Sequence, residues 1–376
     1  MPSSGLEGVV ATTTELSHVD GARGELVIGG YQVDQLAEHA TFEETTWLLW
    51  HGDLPSVTQL EAFRGGLAEV RRIPESTLAL LRECAERRVD AMDALRMAAG
   101  TLSLISEEAT GIAARVPTIV ASDWRLRHGE EPLLPRTDLG HAANFLYMLA
   151  GEVPDPERVR GLETYLNTVI DHGLNASTFT VRVITSTGSD LVSAVAGALG
   201  ALKGPLHGGA PGPALDMVFE IGNASRAEAV LRKKLETGEK LMGFGHRIYK
   251  VRDPRADVLA KAAERLFTRA GAMSLYALAR TVEAEALRLL EEYKPGRRLQ
   301  TNVEFYTALL LHGLGFDVDL FTPTFAISRV SGWIAHAFEQ RRGNRIIRPQ
   351  SEYLGPRDRK WIPASQRIER PVKAVD

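Results

Sequence analysis

Two histidines sit in glycine-rich surroundings that suit presenting a side chain more than burying one. His207 lies in "KGPLHGGAPG". Glycine on its C-terminal side lets a ligand or another backbone come close, and Pro211 and Pro213 start a new helix. A tight helix corner whose histidine only caps carbonyls fits the same residues. His246 lies in "GFGHRIYKVRDPRA", a stretch that also carries Arg247, Lys250, Arg252 and Arg255. Gly243 and Gly245 leave backbone N–H groups open to an anion. Asp253 and Pro254 read as the N-cap and first residue of a helix. Arg255 then falls in the first turn, where the helix dipole disfavours a cation, and that misfit points to a ligand. Imidazoles move protons near neutral pH and guanidinium groups grip oxyanions. The chemistry in view is acid–base work on an anionic substrate, against the plain alternative of a solvated basic loop.

Other residues could join them. Glu304, in "QTNVEFYTALLLHG", offers a carboxylate base, but Thr301 and Glu304 also have the spacing of a capping box. His172, in "IDHGLNAST", stands at a helix end, where the C-terminal dipole favours a histidine. Arg329, in "AISRVSGW", interrupts an apolar helical run. A buried guanidinium is expensive unless paired, so it calls for a carboxylate. Arg345 and Arg348, in "NRIIRPQSEY", suit a solvated tail. His51, His141 and His312 have no comparable setting, and His336, between two alanines, reads as structural. Cys84, the only cysteine, lies in the helix-like "TLALLRECAERR" and reads as a small core residue.

Several chemistries lose their best signal. The chain has no G-x-G-x-x-G after a strand, no P-loop, no H-E-x-x-H and no G-x-S-x-G elbow. No cofactor and no metal is expected. A formal net charge of -4 gives no bulk attraction to nucleic acid or acidic membranes, so any basic site must be local. One thiol makes no internal disulfide, which fits a reducing compartment. The opening "MPSSGLEGVVATTTELSHVDG" lacks the regions of a signal peptide, and no apolar run is long enough for a membrane helix. A cytoplasmic protein is expected.

The elements that must hold these residues read as helix after helix. The β-branched, glycine-rich first thirty residues predict a short strand pair or clasp. "FEETTWLLWHG" ends at Gly52 with Pro55 beyond, and "TQLEAFRGGLAEVRR" opens with Thr58 and Glu61 at capping-box spacing. Val159, Leu162, Leu166, Val169 and Ile170 share one helical face, as do Leu191, Val195, Leu199 and Leu202. Thr322 and Pro323 predict another helix start. "ASTFTVRVITST" has the β-branched alternation of a strand, yet sits between two strong helices, so a buried helix is equally open. The 376 residues suggest two domains. A shift to shorter, more charged helices predicts a small domain over 214–320, inserted between parts of a large one, 1–213 and 321–376. The fold class is mainly α.

Taken in order, "LNASTF", "GALKGPLHGGA", "GFGHRIYKVRDPRA", "NVEFY", "FAISRVSGW" and "RIIRP" resemble the citrate synthase family over nearly the whole chain. The length resembles its short, dimeric bacterial and archaeal branch. The resemblance implies a helical fold whose small domain closes on substrate, with oxaloacetate and acyl-CoA as ligands. By that resemblance His207 hydrogen-bonds the thioester oxygen, His246 polarises the oxaloacetate carbonyl and Glu304 is the base. His172, Arg255 and Arg329 bind oxaloacetate, Arg348 does so from the partner subunit of a homodimer, and Gly243, Gly245 and Lys250 lie by coenzyme A. The family's "NVD" base is usually aspartate, so glutamate here is a departure. The motifs imply citrate synthase, with 2-methylcitrate synthase or a weakly catalytic ligand-binding paralogue as alternatives.

Overall fold

The computed structural model describes residues 4–6, 8–105, 108–208 and 211–367. Among them are sixteen α-helices and one small antiparallel sheet. Two contact units divide the chain, the first running to Ile346 and the second starting at Ile347. Among its described residues the second holds one 3-10 turn, at Ala364–Gln366, and no other helix or strand. Within it Tyr353 donates to the Pro356 carbonyl and the Arg367 guanidinium lies 5.9 Å from the Trp361 ring centre.

The expected strand pair is present as strands β1 (Ser17–Asp20) and β2 (Glu25–Ile28), with a two-residue β3 (Tyr31–Gln32) beside β2. Asp20 closes the β1–β2 turn by accepting from the Ala22 and Arg23 N–H groups.

Local signals set most helix boundaries. Asp155 and Asp253 each cap a helix with proline in the first turn, Pro156–Val169 and Pro254–Arg269. Gly52 ends the Phe42–His51 helix at φ 95°, a left-handed conformation that glycine adopts without strain. Two expected starts shift. The capping box of the Val57–Glu69 helix uses Ser56 and Gln59, not Thr58 and Glu61, because the helix begins two residues earlier. The last long helix starts at Phe321, ahead of Thr322, whose hydroxyl instead donates to the Gly208 carbonyl. Pro323 falls inside the first turn, where its missing N–H has no intrahelical partner to lose.

"ASTFTVRVITST" is a helix, Ala176–Ser186, capped by Asn175. Its buried residues Ser177, Thr178, Val181, Arg182, Thr185 and Ser186 recur at helical spacing. It packs against the Leu191–Leu202 and Phe321–Arg342 helices. That two-sided packing overrides the strand propensity of threonine and valine.

Close backbone approach locks the Phe321–Arg342 helix to the end of Pro156–Val169. A Cβ at Gly332 would stand 2.2 Å from the Ile170 carbonyl oxygen. Around that contact Ser328 donates to the Leu166 carbonyl at 2.5 Å and Arg329 Nε to the Val169 carbonyl at 2.7 Å. These bonds occupy carbonyls that the shorter helix leaves unpaired at its C-terminus. His336 is structural, as expected. It is fully buried, 3.1 Å from Asp171 through Nε2, while its Nδ1 accepts from Arg182 Nε at 3.0 Å.

Glycine inside a helix ordinarily costs roughly 1 kcal/mol relative to alanine. Gly66→Ala, at an exposed position in the Val57–Glu69 helix with nothing near its Cβ, therefore raises the unfolding free energy read from urea titration by up to that amount. Gly332→Ala reverses the sign, because the methyl must displace a carbonyl. Urea unfolding should show a loss of about 1–3 kcal/mol, the usual cost of overpacking.

Candidate active site

One cavity of about 1080 Å³ receives residues from six separate segments of the first unit. His172, His207, His246, Arg255, Glu304 and Arg329 all line it, and so do Gly243 and Gly245. Eight of the ten expected site residues are thus brought together. Lys250 is exposed and outside that lining; its Nζ donates to the Arg247 carbonyl. Arg348 belongs to the second unit and is exposed there.

Each imidazole is held in a defined way. His246 Nδ1 accepts from two backbone donors, the N–H groups of Ile248 and Tyr249, both at 3.1 Å. A neutral ring so held carries its proton on Nε2. Burial, assisted by Arg255, pushes its pKa down to about 4. His207 stands in the turn after the Leu191–Leu202 helix. Its Nε2 is 2.8 Å from Ser177 Oγ and accepts from the Ser177 N–H at 3.3 Å. Trp333 Nε1 donates to the same Oγ at 3.1 Å. With Nε2 as acceptor, the His207 proton sits on Nδ1. Burial and then Arg329 lower its pKa to about 4. His172 Nε2 meets Tyr249 Oη at 3.2 Å, and its ring centre is 5.8 Å from that of His246. Burial, Arg255 and Arg329 hold it well below the usual histidine range. All three rings are neutral at pH 7.

The two buried arginines differ. Arg255 is clamped in bidentate fashion by Asp253, with Nε–Oδ1 3.0 Å and Nη2–Oδ2 2.8 Å. Burial opposes its charge, but Asp253 outweighs burial and keeps it cationic. Its first-turn position, a misfit in a free helix, is thereby explained: the N-cap carboxylate serves both the helix and the guanidinium. Arg329 does not have the expected carboxylate partner. Among the described residues its only hydrogen bond is to the Val169 carbonyl, and its guanidinium lies 4.6 Å from the Phe325 ring centre. Burial lowers its pKa to about 10, although Asp171 opposes this. It remains charged at pH 7, a buried cation that forms no ion pair with a carboxylate among the described residues.

Glu304 is released from the capping role that its spacing with Thr301 allowed. The N-cap of the Val303–Gly313 helix is Asn302, whose Oδ1 accepts from the Glu304 N–H at 3.0 Å. Thr301 donates its hydroxyl to buried Glu283 at 2.7 Å instead. The Glu304 carboxylate is left to the cavity. Burial raises its pKa, while Arg255 and Asn302 pull the other way.

The glycines work differently from expectation. The Gly245 N–H is not open: it donates to the Gln300 carbonyl at 2.7 Å, beside an isolated bridge between Phe244 and Thr301. At Gly243, φ is 85° and a Cβ would stand 2.8 Å from Phe305 Cβ. Glycine there admits the Val303–Gly313 helix. After His207, Gly208 has the Leu202 carbonyl oxygen 2.4 Å from where a Cβ would lie; Gly209 is outside the described residues.

Sequence reasoning missed some lining residues. Lys240, Lys294 and Arg297 line the cavity, and none has an ion-pair partner among the described residues. Three scattered cations carry no motif. Ser177 and Asn175 had a signal, since Asn175 followed by a hydroxyl-rich stretch is a helix start.

Comparison with known proteins bears on the same arrangement. The family model described as "Citrate synthase, C-terminal domain" matches residues 5–350. Citrate synthase 2 of Bacillus subtilis is 43% identical over 375 residues, covering 96% of this chain and 98% of that protein. The 2-methylcitrate synthase of Mycobacterium tuberculosis is 40% identical over 368 residues, covering 94% and 91%. The crystal structure of citrate synthase from Pyrobaculum aerophilum superposes with a TM-score of 0.87 at 38% identity, covering 96% of this chain and 95% of that one. A Thermoplasma acidophilum citrate synthase, solved as a ternary complex with carboxymethyl coenzyme A and oxaloacetate, gives a TM-score of 0.88 at 30% identity, covering 96% and 98%. On sequence and fold alike, the chain belongs to the citrate synthase family.

Proposed function

We propose that this chain condenses acetyl-CoA with oxaloacetate and hydrolyses the citryl thioester, releasing citrate and coenzyme A. The observation that carries the reading is the freed Glu304 carboxylate, facing the same cavity as three neutral imidazoles and two buried guanidinium groups. Arg329, cationic and without a carboxylate, waits for one from a ligand. Arg255 and Arg329 together suit a small dicarboxylate, which guanidinium groups hold in bidentate geometry. His172 adds a third contact.

The difficult step is removing a methyl proton from the thioester. With a thioester pKa of roughly 20, full transfer to a carboxylate costs on the order of 20 kcal/mol. Glu304 takes that proton. His207, neutral, donates to the thioester oxygen as it gains charge; one preorganised donor contributes roughly 3–4 kcal/mol. His246 donates from Nε2 to the oxaloacetate carbonyl as the carbon–carbon bond forms. Residues 214–320 act as the small domain whose closure excludes water. Lys240, Lys294 and Arg297 take the phosphates of coenzyme A, beside the segment holding Gly243, Gly245 and Lys250. The chain works as a cytoplasmic homodimer in which Arg348 reaches the neighbouring site. Among the described residues no helix is long and apolar enough to cross a membrane.

Propionyl-CoA is the second reading, favoured by the identity to the mycobacterial 2-methylcitrate synthase. One methylene is worth only about 1–3 kcal/mol in a pocket. Side-by-side kcat/KM values decide: acetyl-CoA is expected to lead, and a propionyl-CoA preference above about tenfold reverses the assignment.

Glu304→Gln is expected to lower kcat by about 10²–10⁴, the usual worth of a general base, with oxaloacetate binding retained by calorimetry. The base must be ionised, and burial raises its pKa. Activity therefore falls with decreasing pH above the ordinary glutamate value of 4.5. The histidines, neutral down to about 4, do not set that limb. Unchanged turnover in Glu304→Gln removes the proposed base, and binding without thiol release in the wild type favours a ligand-binding paralogue.

Subunit mixing tests Arg348. Arg348→Ala and Glu304→Gln are each expected to be nearly inactive. Their hybrid dimer has one intact site if Arg348 serves the neighbour, so a refolded equimolar mixture should regain about a quarter of wild-type activity. No recovery assigns Arg348 elsewhere.

A further inference from the structure

The hairpin of β1 and β2 touches both segments that carry the oxaloacetate histidines. At the start of β1, Ser17 Oγ donates to Asp171 Oδ2 at 2.5 Å and accepts from the Gly173 N–H at 2.9 Å. Those two residues flank His172. At the turn after β1, the Gly21 carbonyl accepts from the Lys250 N–H at 2.8 Å. Gly21 is not one of the positive-φ glycines, so its own backbone does not require glycine. Space does: a Cβ there would stand 2.2 Å from the Ile248 carbonyl oxygen and 2.6 Å from its carbon. Gly24, at φ 70°, meets the same loop at Val251.

The Ile248 carbonyl belongs to the same rigid peptide plane as the Tyr249 N–H. That N–H is one of the two donors holding His246 Nδ1. The other is the Ile248 N–H, and the next N–H along, that of Lys250, is bonded to Gly21. Three consecutive amides are thus oriented together, two toward the imidazole and one toward the hairpin. A methyl at residue 21 tilts the plane and withdraws a donor from Nδ1.

We propose that the β1–β2 turn is a positioning element for the active site, with Gly21 fixing the His246 tautomer through the Ile248–Tyr249 peptide and Ser17 fixing the His172 segment. The proposal deepens the functional reading, since a ring protonated on Nε2 is the form that reading requires at the oxaloacetate carbonyl. Neither residue touches substrate; each acts through another group.

The test is ¹⁵N NMR of histidine-labelled full-length protein, with His246 assigned by loss of its signals in His246→Gln. The wild type is expected to show one neutral tautomer at His246, protonated on Nε2. Gly21→Ala is expected to give a mixture of tautomers and a kcat lower by about ten- to a hundredfold, the scale of an ångström-sized misplacement, with KM for acyl-CoA within about twofold. Arg23→Ala, an exposed change in the same turn, keeps the wild-type pattern and rate. An unchanged His246 pattern in Gly21→Ala overturns the proposal, whatever the rate does. If Gly21→Ala does not fold, Ser17→Ala decides by the His172 signals and KM for oxaloacetate: both move if the proposal holds, and both stay if it fails. A wild type without condensing activity sinks the functional reading alone, because the tautomer pattern is read without turnover.

Discussion

A buried guanidinium with no carboxylate at hydrogen-bonding distance is the constraint on which this site turns. Arg255 has Asp253, but among the described residues Arg329 has a carbonyl and an aromatic face, with Asp171 acting only through space. Burial first, then Arg255 at His246, Arg329 at His207 and both at His172, keeps the three imidazoles neutral, while Arg255 draws the Glu304 carboxylate toward its ionised form against desolvation. Burial and the neighbouring cations together leave the three imidazoles as hydrogen-bond donors rather than cations. The same setting leaves Arg329 open to a ligand carboxylate, which would supply the direct partner that a buried guanidinium otherwise lacks.

Burying such charge requires a rigid frame, and the frame is built from backbone contacts. The Phe321–Arg342 helix approaches the end of Pro156–Val169 so closely at residue 332 that only glycine fits. This approach brings Arg329, Trp333 and His336 onto one polar seam. Asp171, Arg182 and His336 continue it, fully buried and mutually bonded, next to His172. In a low dielectric such a seam is strong when every member is satisfied. It holds the histidine side of the cavity without using any catalytic group.

Much of this was legible in the residues themselves. Glycine-flanked histidines, the Asp253–Pro254 helix start and an arginine in an apolar run all marked groups that line the cavity. The helical class followed from apolar spacing. What resisted was non-local. "ASTFTVRVITST" could not declare itself a helix, because packing on two sides decides it. Thr301 and Glu304 had the spacing of a cap, and only Glu283, brought in from another helix, shows that Thr301 is engaged elsewhere. Lys240, Lys294 and Arg297 carry no local pattern, since their meeting depends on how separate segments fold together. The ambiguous Arg329 shows the limit from the other side: burial was inferred correctly, but among the described residues no carboxylate pairs with it directly.

The hydrogen bond from the Glu15 N–H to Glu339 spans 324 positions of the polymer, and β1, just beyond it, reaches across to both histidine segments. Contacts of such range are the last that a growing chain can make, and they slow its maturation. The contacts of Ser17 and Gly21 can close sooner, since their partners at Asp171, Gly173, Ile248 and Lys250 leave the ribosome well before Glu339. Glu304 and Arg329, which complete the pocket's lining, are synthesised after those partners, so the hairpin's brace is available before the last wall is made.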